Sequence, residues 1–334
     1  MNTHSDGPLI DSFGRTVSYV RLSVTDRCDF RCVYCMSEDM TFVPRAQVLT
    51  LEELGQIARA FAELQIKKIR ITGGEPLVKN NVLKLFDEIG AMPGINELTL
   101  TTNGSQLTRM AADLKASGVS RINISLDTLK ADKFKELTRT GDISKVLAGI
   151  DAAIKAKFEK IKINAVILKN RNHDEVTDLV NFAIERELDI TFIEEMPLGK
   201  VSDRSREEAY YSSDRIKEDL AQSFELIETT ESTGGPARYI KIPNTKTKVG
   251  FISPHSHNFC STCNRVRVTA EGLLLLCLGQ EHSVDLKRVI RANPGDIEKL
   301  KKTIRDAMSI KPEGHDFDIT AKPIIFRHMN STGG

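Results

Sequence analysis

The sequence has no surplus of charge of either sign. Its 47 Lys and Arg residues face 46 Asp and Glu, so nothing in the composition supplies a sequence-independent hold on nucleic acid or a membrane surface. No apolar run approaches the roughly 20 residues of a membrane-spanning helix. The stretch from Met1 to Pro8 is polar and lacks the apolar core of a secretory signal. A cytoplasmic protein is therefore expected, and in that compartment cysteines serve as ligands more often than as disulfides. There is no low-complexity tract and no repeat beyond an alternation of strand-like and helical patterns. No cysteine is left over either: the six fall into two sets, at 28, 32 and 35 and at 260, 263 and 277.

At 334 residues the chain can bury a large core, one big domain with a smaller appendage. Strand-like runs fall at Tyr19–Val24, Lys68–Thr72, Glu97–Thr101, Arg121–Leu126, Ile161–Leu168 and Ile190–Glu195. Helical patterns run near Leu51–Leu64, Val82–Ile89, Met110–Ala116, Ala131–Leu137, Val146–Lys157 and Asp174–Glu187. Thr50 with Glu53 forms a capping-box signature at the first of these. Repeated βα units imply a parallel sheet, and six units fall short of the eight that close a barrel. The expectation is an α/β fold, a partial six-unit TIM-type barrel over about 19–196 within a domain of 11–235. A C-terminal α+β domain of 236–334 would close its open side. That segment reads as strands Arg238–Ile242, Lys248–Ile252, Arg265–Thr269 and Leu273–Leu278, then helices near Val284–Arg291 and Asp296–Met308.

Cys28, Cys32 and Cys35 follow the first strand at C-x3-C-x2-C. Three soft thiolates without a fourth suit an iron–sulfur cube with one iron left open for a substrate, while a zinc site borrowing a distant ligand is the plainer alternative. Tyr34 within the loop and Gly73-Gly74-Glu75-Pro76 after the second strand resemble the radical S-adenosylmethionine (SAM) superfamily. That resemblance implies a [4Fe–4S] cluster chelating SAM, with Tyr34, Gly73, Gly74, Glu75, Ser125 and Met196 as SAM contacts at the barrel rim.

The second set, Cys260, Cys263 and Cys277, could be three-quarters of a zinc ribbon completed by His255 or His257. Yet Cys263 leads into Asn264-Arg265-Val266-Arg267, which puts two guanidiniums on one strand face. A pair of arginines beside a metal site suits a polyphosphate. Together with the terminal Gly333-Gly334, these motifs resemble the GTP 3′,8-cyclase family over nearly the whole chain. The resemblance implies a lyase that uses two [4Fe–4S] clusters and SAM in the first step of molybdenum cofactor biosynthesis. GTP contacts would come from Arg21, Lys68, Arg70, Thr101, Lys162, Arg265, Val266 and Arg267, and Gly333 and Gly334 would thread into the active site. The implied partners are a one-electron reductant such as flavodoxin or ferredoxin and a downstream cyclic pyranopterin monophosphate synthase. No nucleic acid or membrane partner is expected, and the chain would act as monomer or homodimer. One position departs from the family: Thr191 stands where an arginine precedes Phe-Ile-Glu. Two rival readings are a radical SAM peptide modifier, which would carry more C-terminal cysteines, and an iron–sulfur electron carrier or zinc-stabilised binding protein.

Overall fold

The computed structural model describes residues 7–199, 205–320 and 325–333 of the chain. Six parallel strands carry the first half: β1 (Tyr19–Ser23), β2 (Lys68–Thr72), β3 (Glu97–Thr102), β4 (Val119–Ser125), β5 (Lys160–Val166) and β6 (Asp189–Ile193). Helices α1 (Leu51–Glu63), α2 (Val82–Gly90), α3 (Leu107–Ala116), α4 (Ala131–Thr138), α5 (Ile143–Lys155) and α6 (Val176–Glu185) fill the crossovers. Thr50 and Glu53 cap α1 reciprocally, as the capping box predicts.

Alternation within each strand decides which side is core. Val20 and Leu22 of β1, Ile69 and Ile71 of β2, Ile122 and Ile124 of β4, and Ile161 and Ile163 of β5 join the apolar core. Their neighbours Tyr19, Arg21, Lys68, Arg70, Asn123, Ser125 and Lys162 line a cavity on the other face. The strands are thus buried on both sides, but only one side is apolar.

The C-terminal half extends this sheet. After the short strand Ile227–Glu228 come β7 (Arg238–Lys241), β8 (Lys248–Ile252), β9 (Arg265–Val268), β10 (Leu273–Leu275) and β11 (Ser283–Asp285). β8 pairs parallel with β6, and β9 pairs parallel with β1, so both edges of the six-strand unit are continued by C-terminal strands. The 12-stranded sheet runs β11-β10-β9-β1-β2-β3-β4-β5-β6-β8-β7 to Ile227–Glu228, and among the described residues its edges do not pair. It is an open, partial TIM-type barrel. Residues 253–264 connect the two added parallel strands and carry Cys260 and Cys263.

Several boundaries differ from the periodic reading. α3 begins at Leu107 rather than Met110, and α5 begins at Ile143 because Asp142 accepts from Ser144 N and caps it. Val284 belongs to β11 and not to a helix. Asp285 caps the following helix, α7 (Leu286–Ala292), by accepting from Arg288 N. Within the polar stretch 205–213, Arg206, Ala209 and Ser213 are buried.

A cavity between two cysteine sets

The first cysteine loop leaves the C-terminal end of β1. Its conformation is pinned by backbone contact with the next loop: Gly74 N donates to Thr25 O at 2.7 Å and Glu75 N to Arg27 O at 2.8 Å. A Cβ on Gly74 would sit 2.5 Å from Arg27 O, and one on Gly73 2.8 Å from Thr25 O, so only glycine lets the two backbones touch. Asp29 then accepts from Asn103 Nδ2 at 2.6 Å and Ser105 Oγ at 2.6 Å, which ties the loop to the end of β3. Tyr34 donates to Asp127 at 2.7 Å beyond β4. Cys28, Cys32 and Cys35 all face the cavity as free thiols. Burial pushes all three upward, Cys35 to about 12, and nearby Glu75, Asp29 and Asp127 add to it. Such thiols ionise readily only when a metal supplies the compensating charge.

Glu75 is not a cavity-lining residue. Its carboxylate is fully buried and accepts from Thr102 Oγ1 at 2.8 Å, Asn103 N at 2.6 Å and Leu77 N at 3.0 Å. Burial raises it to about 7 despite those donors. It supports the rim from behind, whereas Gly73, Gly74, Ser125 and Met196 line the cavity with Tyr34.

The second set lies at the opposite end of the strands. Cys260 and Cys263 precede β9, whose Arg265 is level with Tyr19 at the start of β1, and Cys277 follows β10. From Arg265 level to Ser23 level the ladder rises four residues, roughly 13 Å at ~3.3 Å each. Here cations dominate. Lys311 Nζ reaches Cys263 Sγ at 3.7 Å and Leu276 O at 2.7 Å. Arg15, paired with Asp11 at 2.6 Å, donates to Cys260 O at 2.8 Å. Burial would raise Cys263, but Arg265 and Lys311 outweigh it and hold that thiol below its usual range; burial still raises Cys277. The two histidines considered for a zinc ribbon are engaged elsewhere, His255 Nε2 with Glu195 O and His257 Nε2 with Asp214, both at 2.8 Å. Among the described residues no three His, Cys, Asp or Glu side chains gather to hold a single metal ion. A cube does not require that convergence, because each thiolate binds a different iron.

Between the sets runs a wall of cations. Register places Arg267, Arg21 and Arg70 side by side on β9, β1 and β2, and below them Arg265, Tyr19 and Lys68. Arg70 Nη1 donates to Thr101 Oγ1 at 3.2 Å. On the far side Lys162 donates to Tyr239 Oη at 3.0 Å. Val266 turns its side chain into the core while bordering the cavity. Thr191 is fully buried, and its hydroxyl and the Tyr239 ring close over Gly250, 2.7 and 2.8 Å from where a Cβ there would lie.

The C-terminal segment enters the same cavity. Leu198 bridges Ile325, Asn330 Nδ2 donates to Asp26 O at 2.9 Å, and Arg267 donates to the carbonyl of Gly333. Gly333 has φ +77, and a Cβ there would lie 2.0 Å from Thr72 Oγ1. Gly334 lies outside the described residues. Sequence reasoning missed Tyr19, Asp29, Tyr239 and Lys311, and it assigned no role to Asn103 or Asp127. The only signal for Tyr19 was its place two residues before Arg21 on the same strand face.

Family models match in two blocks: the radical SAM superfamily over residues 22–183 and Molybdenum Cofactor Synthesis C over 188–317. A GTP 3′,8-cyclase of Saccharophagus degradans is 60% identical over 326 residues, covering 98% of each chain. One from Pseudomonas putida is 60% identical over 327 residues, again 98% of each, and one from Pseudomonas syringae is 57% identical over 331 residues, 99% of this chain and 100% of that one. Among solved structures, Streptococcus suis SuiB superposes with TM-score 0.61 at 15% identity, over 87% of this chain and 68% of that one. Its form bound to S-adenosylmethionine gives 0.58 at 16%, over 86% and 68%. These two support the fold alone.

Proposed function

The chain belongs to the GTP 3′,8-cyclase family of radical SAM proteins, and from that premise we propose that it converts GTP to (8S)-3′,8-cyclo-7,8-dihydroguanosine 5′-triphosphate, the first step of molybdenum cofactor biosynthesis. The observation that carries this reading is one cavity lined by both cysteine sets with the cation wall between them. Cys28, Cys32 and Cys35 would hold a [4Fe–4S] cluster, which would supply the electron for reductive SAM cleavage and so the radical chemistry at the ribose 3′ carbon. The rest is positioning by this chain. Gly73, Gly74, Ser125, Tyr34 and Met196 hold SAM at the rim. Arg21, Lys68, Arg70, Lys162 and Arg267 take the triphosphate, leaving the ribose toward the first set. Guanine is directed to the second set beside Arg265, where Cys260, Cys263 and Cys277 have the thiols for a second cluster. Fixing the base against its own ribose keeps C8 within reach of C3′. Gly333 brings the C-terminal segment onto Arg267, with no side chain to obstruct the cavity.

The electron comes from a carrier of the flavodoxin or ferredoxin kind, and the product passes to cyclic pyranopterin monophosphate synthase. No described helix is long and apolar enough to cross a membrane. The test is anaerobic reconstitution with iron and sulfide counting, then incubation with SAM, GTP and dithionite. Two cubes per chain with cyclised nucleotide are expected. One cube, or zinc at the second set, would overturn the second-cluster assignment, and SAM cleavage without cyclised GTP would overturn the reaction.

A further inference from the structure

A buried tyrosine stands in the middle of the cation wall. Tyr19 is level with Arg265 of β9 on one side and Lys68 of β2 on the other. Its hydroxyl oxygen accepts from Arg70 Nε at 2.7 Å and from Arg21 Nη1 at 3.3 Å. Lys68 Nζ lies 5.2 Å from the ring centroid and also pairs with Glu97 of β3 at 2.9 Å, a carboxylate shared with Arg121 at 2.7 Å. The groups facing the hydroxyl are therefore Arg21, Lys68, Arg70 and Arg265, with Arg267 of β9 also within electrostatic reach and Glu97 drawn off by Lys68 and Arg121. A phenol that accepts from two guanidiniums loses its own proton easily in such surroundings. Burial alone would raise the hydroxyl, but Arg70, Arg21, Lys68 and Arg265 outweigh it and bring it to about 7.

We propose that Tyr19 is a positioning residue and the resident counter-charge of the triphosphate subsite: its oxygen holds Arg70 and Arg21 before nucleotide binds, and takes a proton from water when the triphosphate arrives. The triphosphate then supplies the negative charge that the phenolate supplied. This rests on assigning the cation wall to the triphosphate. Binding becomes proton-linked: above neutrality the subsite is partly self-neutralised, and affinity for GTP falls as pH rises.

Anaerobic titration calorimetry of the reconstituted enzyme with GTP, SAM omitted, tests this in two buffers of different ionisation heat. At about pH 8 the terminal phosphate, whose second ionisation lies near ~6, is already charged and contributes nothing. Uptake approaching one proton per GTP is expected, with affinity falling up to about tenfold per pH unit. Tyr19→Phe keeps the ring over Lys68 and should abolish both the uptake and the slope. No uptake in the wild type, or the same uptake in Tyr19→Phe, would overturn the proposal; in the second case Lys68, whose ammonium burial pulls down, is the responsive group. Arg70→Ala separates the two readings. Unchanged GTP affinity in that variant removes the triphosphate assignment and the role of Tyr19 with it. Weakened affinity with persistent uptake in Tyr19→Phe removes only the latter.

Discussion

The two cysteine sets share a count of three and little else. The first sits on a loop whose neighbours are carboxylates, Asp29, Glu75 and Asp127, and its thiols are all pushed upward. The second sits among Arg265, Lys311 and Arg15, which hold Cys263 down. Acidic surroundings oppose added negative charge, so a cluster there is favoured as an electron donor. Cationic surroundings accept it, and they also suit an anionic substrate. The lesson is that ligand count fixes what a site can hold, while the charges around it decide what the site does with it.

The largest effect should come from breaking one set at a time. Cys32→Ser is expected to abolish SAM cleavage, read as 5′-deoxyadenosine released. Cys263→Ser is expected to keep some uncoupled cleavage and lose cyclised GTP. Intact cyclisation in Cys263→Ser would erase the division of labour. Next comes the segment that touches the wall between them. Removing Gly333 and Gly334 should eliminate most cyclisation while iron content and SAM cleavage persist. Gly333→Ala should do so in part, since a side chain in left-handed backbone costs roughly 1–2 kcal/mol and this one meets Thr72 at 2.0 Å. Full activity in the truncated enzyme would return the segment to a passive terminus.

Smaller effects sharpen the contrast. Arg265→Ala or Arg267→Ala should each remove a charge-assisted contact of about 1.5–3 kcal/mol, roughly ten- to over a hundredfold in GTP affinity. SAM affinity, measured by equilibrium dialysis, should hold steady. Equal losses for both ligands would mean that the wall shapes the whole cavity instead of one subsite. On GTP affinity, Thr191→Arg should have the least effect. The missing family arginine suggests tighter GTP binding, but Thr191 is fully buried beside Gly250 and the Tyr239 ring that holds Lys162. The added cation is expected to bring no gain until Tyr239 is also shortened, as in Thr191→Arg/Tyr239→Ala.

Much of the site was legible because metal ligation and sheet alternation demand particular residue types at particular spacings. The cysteines at 28, 32, 35, 260, 263 and 277 could be grouped without coordinates, and Arg265 and Arg267 placed on one strand face. Glu75 shows the limit. Its motif pointed to a ligand contact, yet the side chain turns inward to hold Thr102 and Asn103. Motif membership identifies a loop, whereas side-chain direction depends on what packs behind it.

By itself, then, the sequence determined the βα succession, the partial barrel and the thiols available for clusters, since each follows from local periodicity or short-range spacing. Only the tertiary structure decided that β8 and β9 extend the two edges of the first sheet. That pairing sets Arg265 beside Tyr19, the two cysteine sets at opposite ends of one cavity, and Lys311 against Cys263. The physical reason is register. A parallel ladder between segments some 246 positions apart, from Tyr19 to Arg265, aligns side chains whose meeting no local pattern encodes.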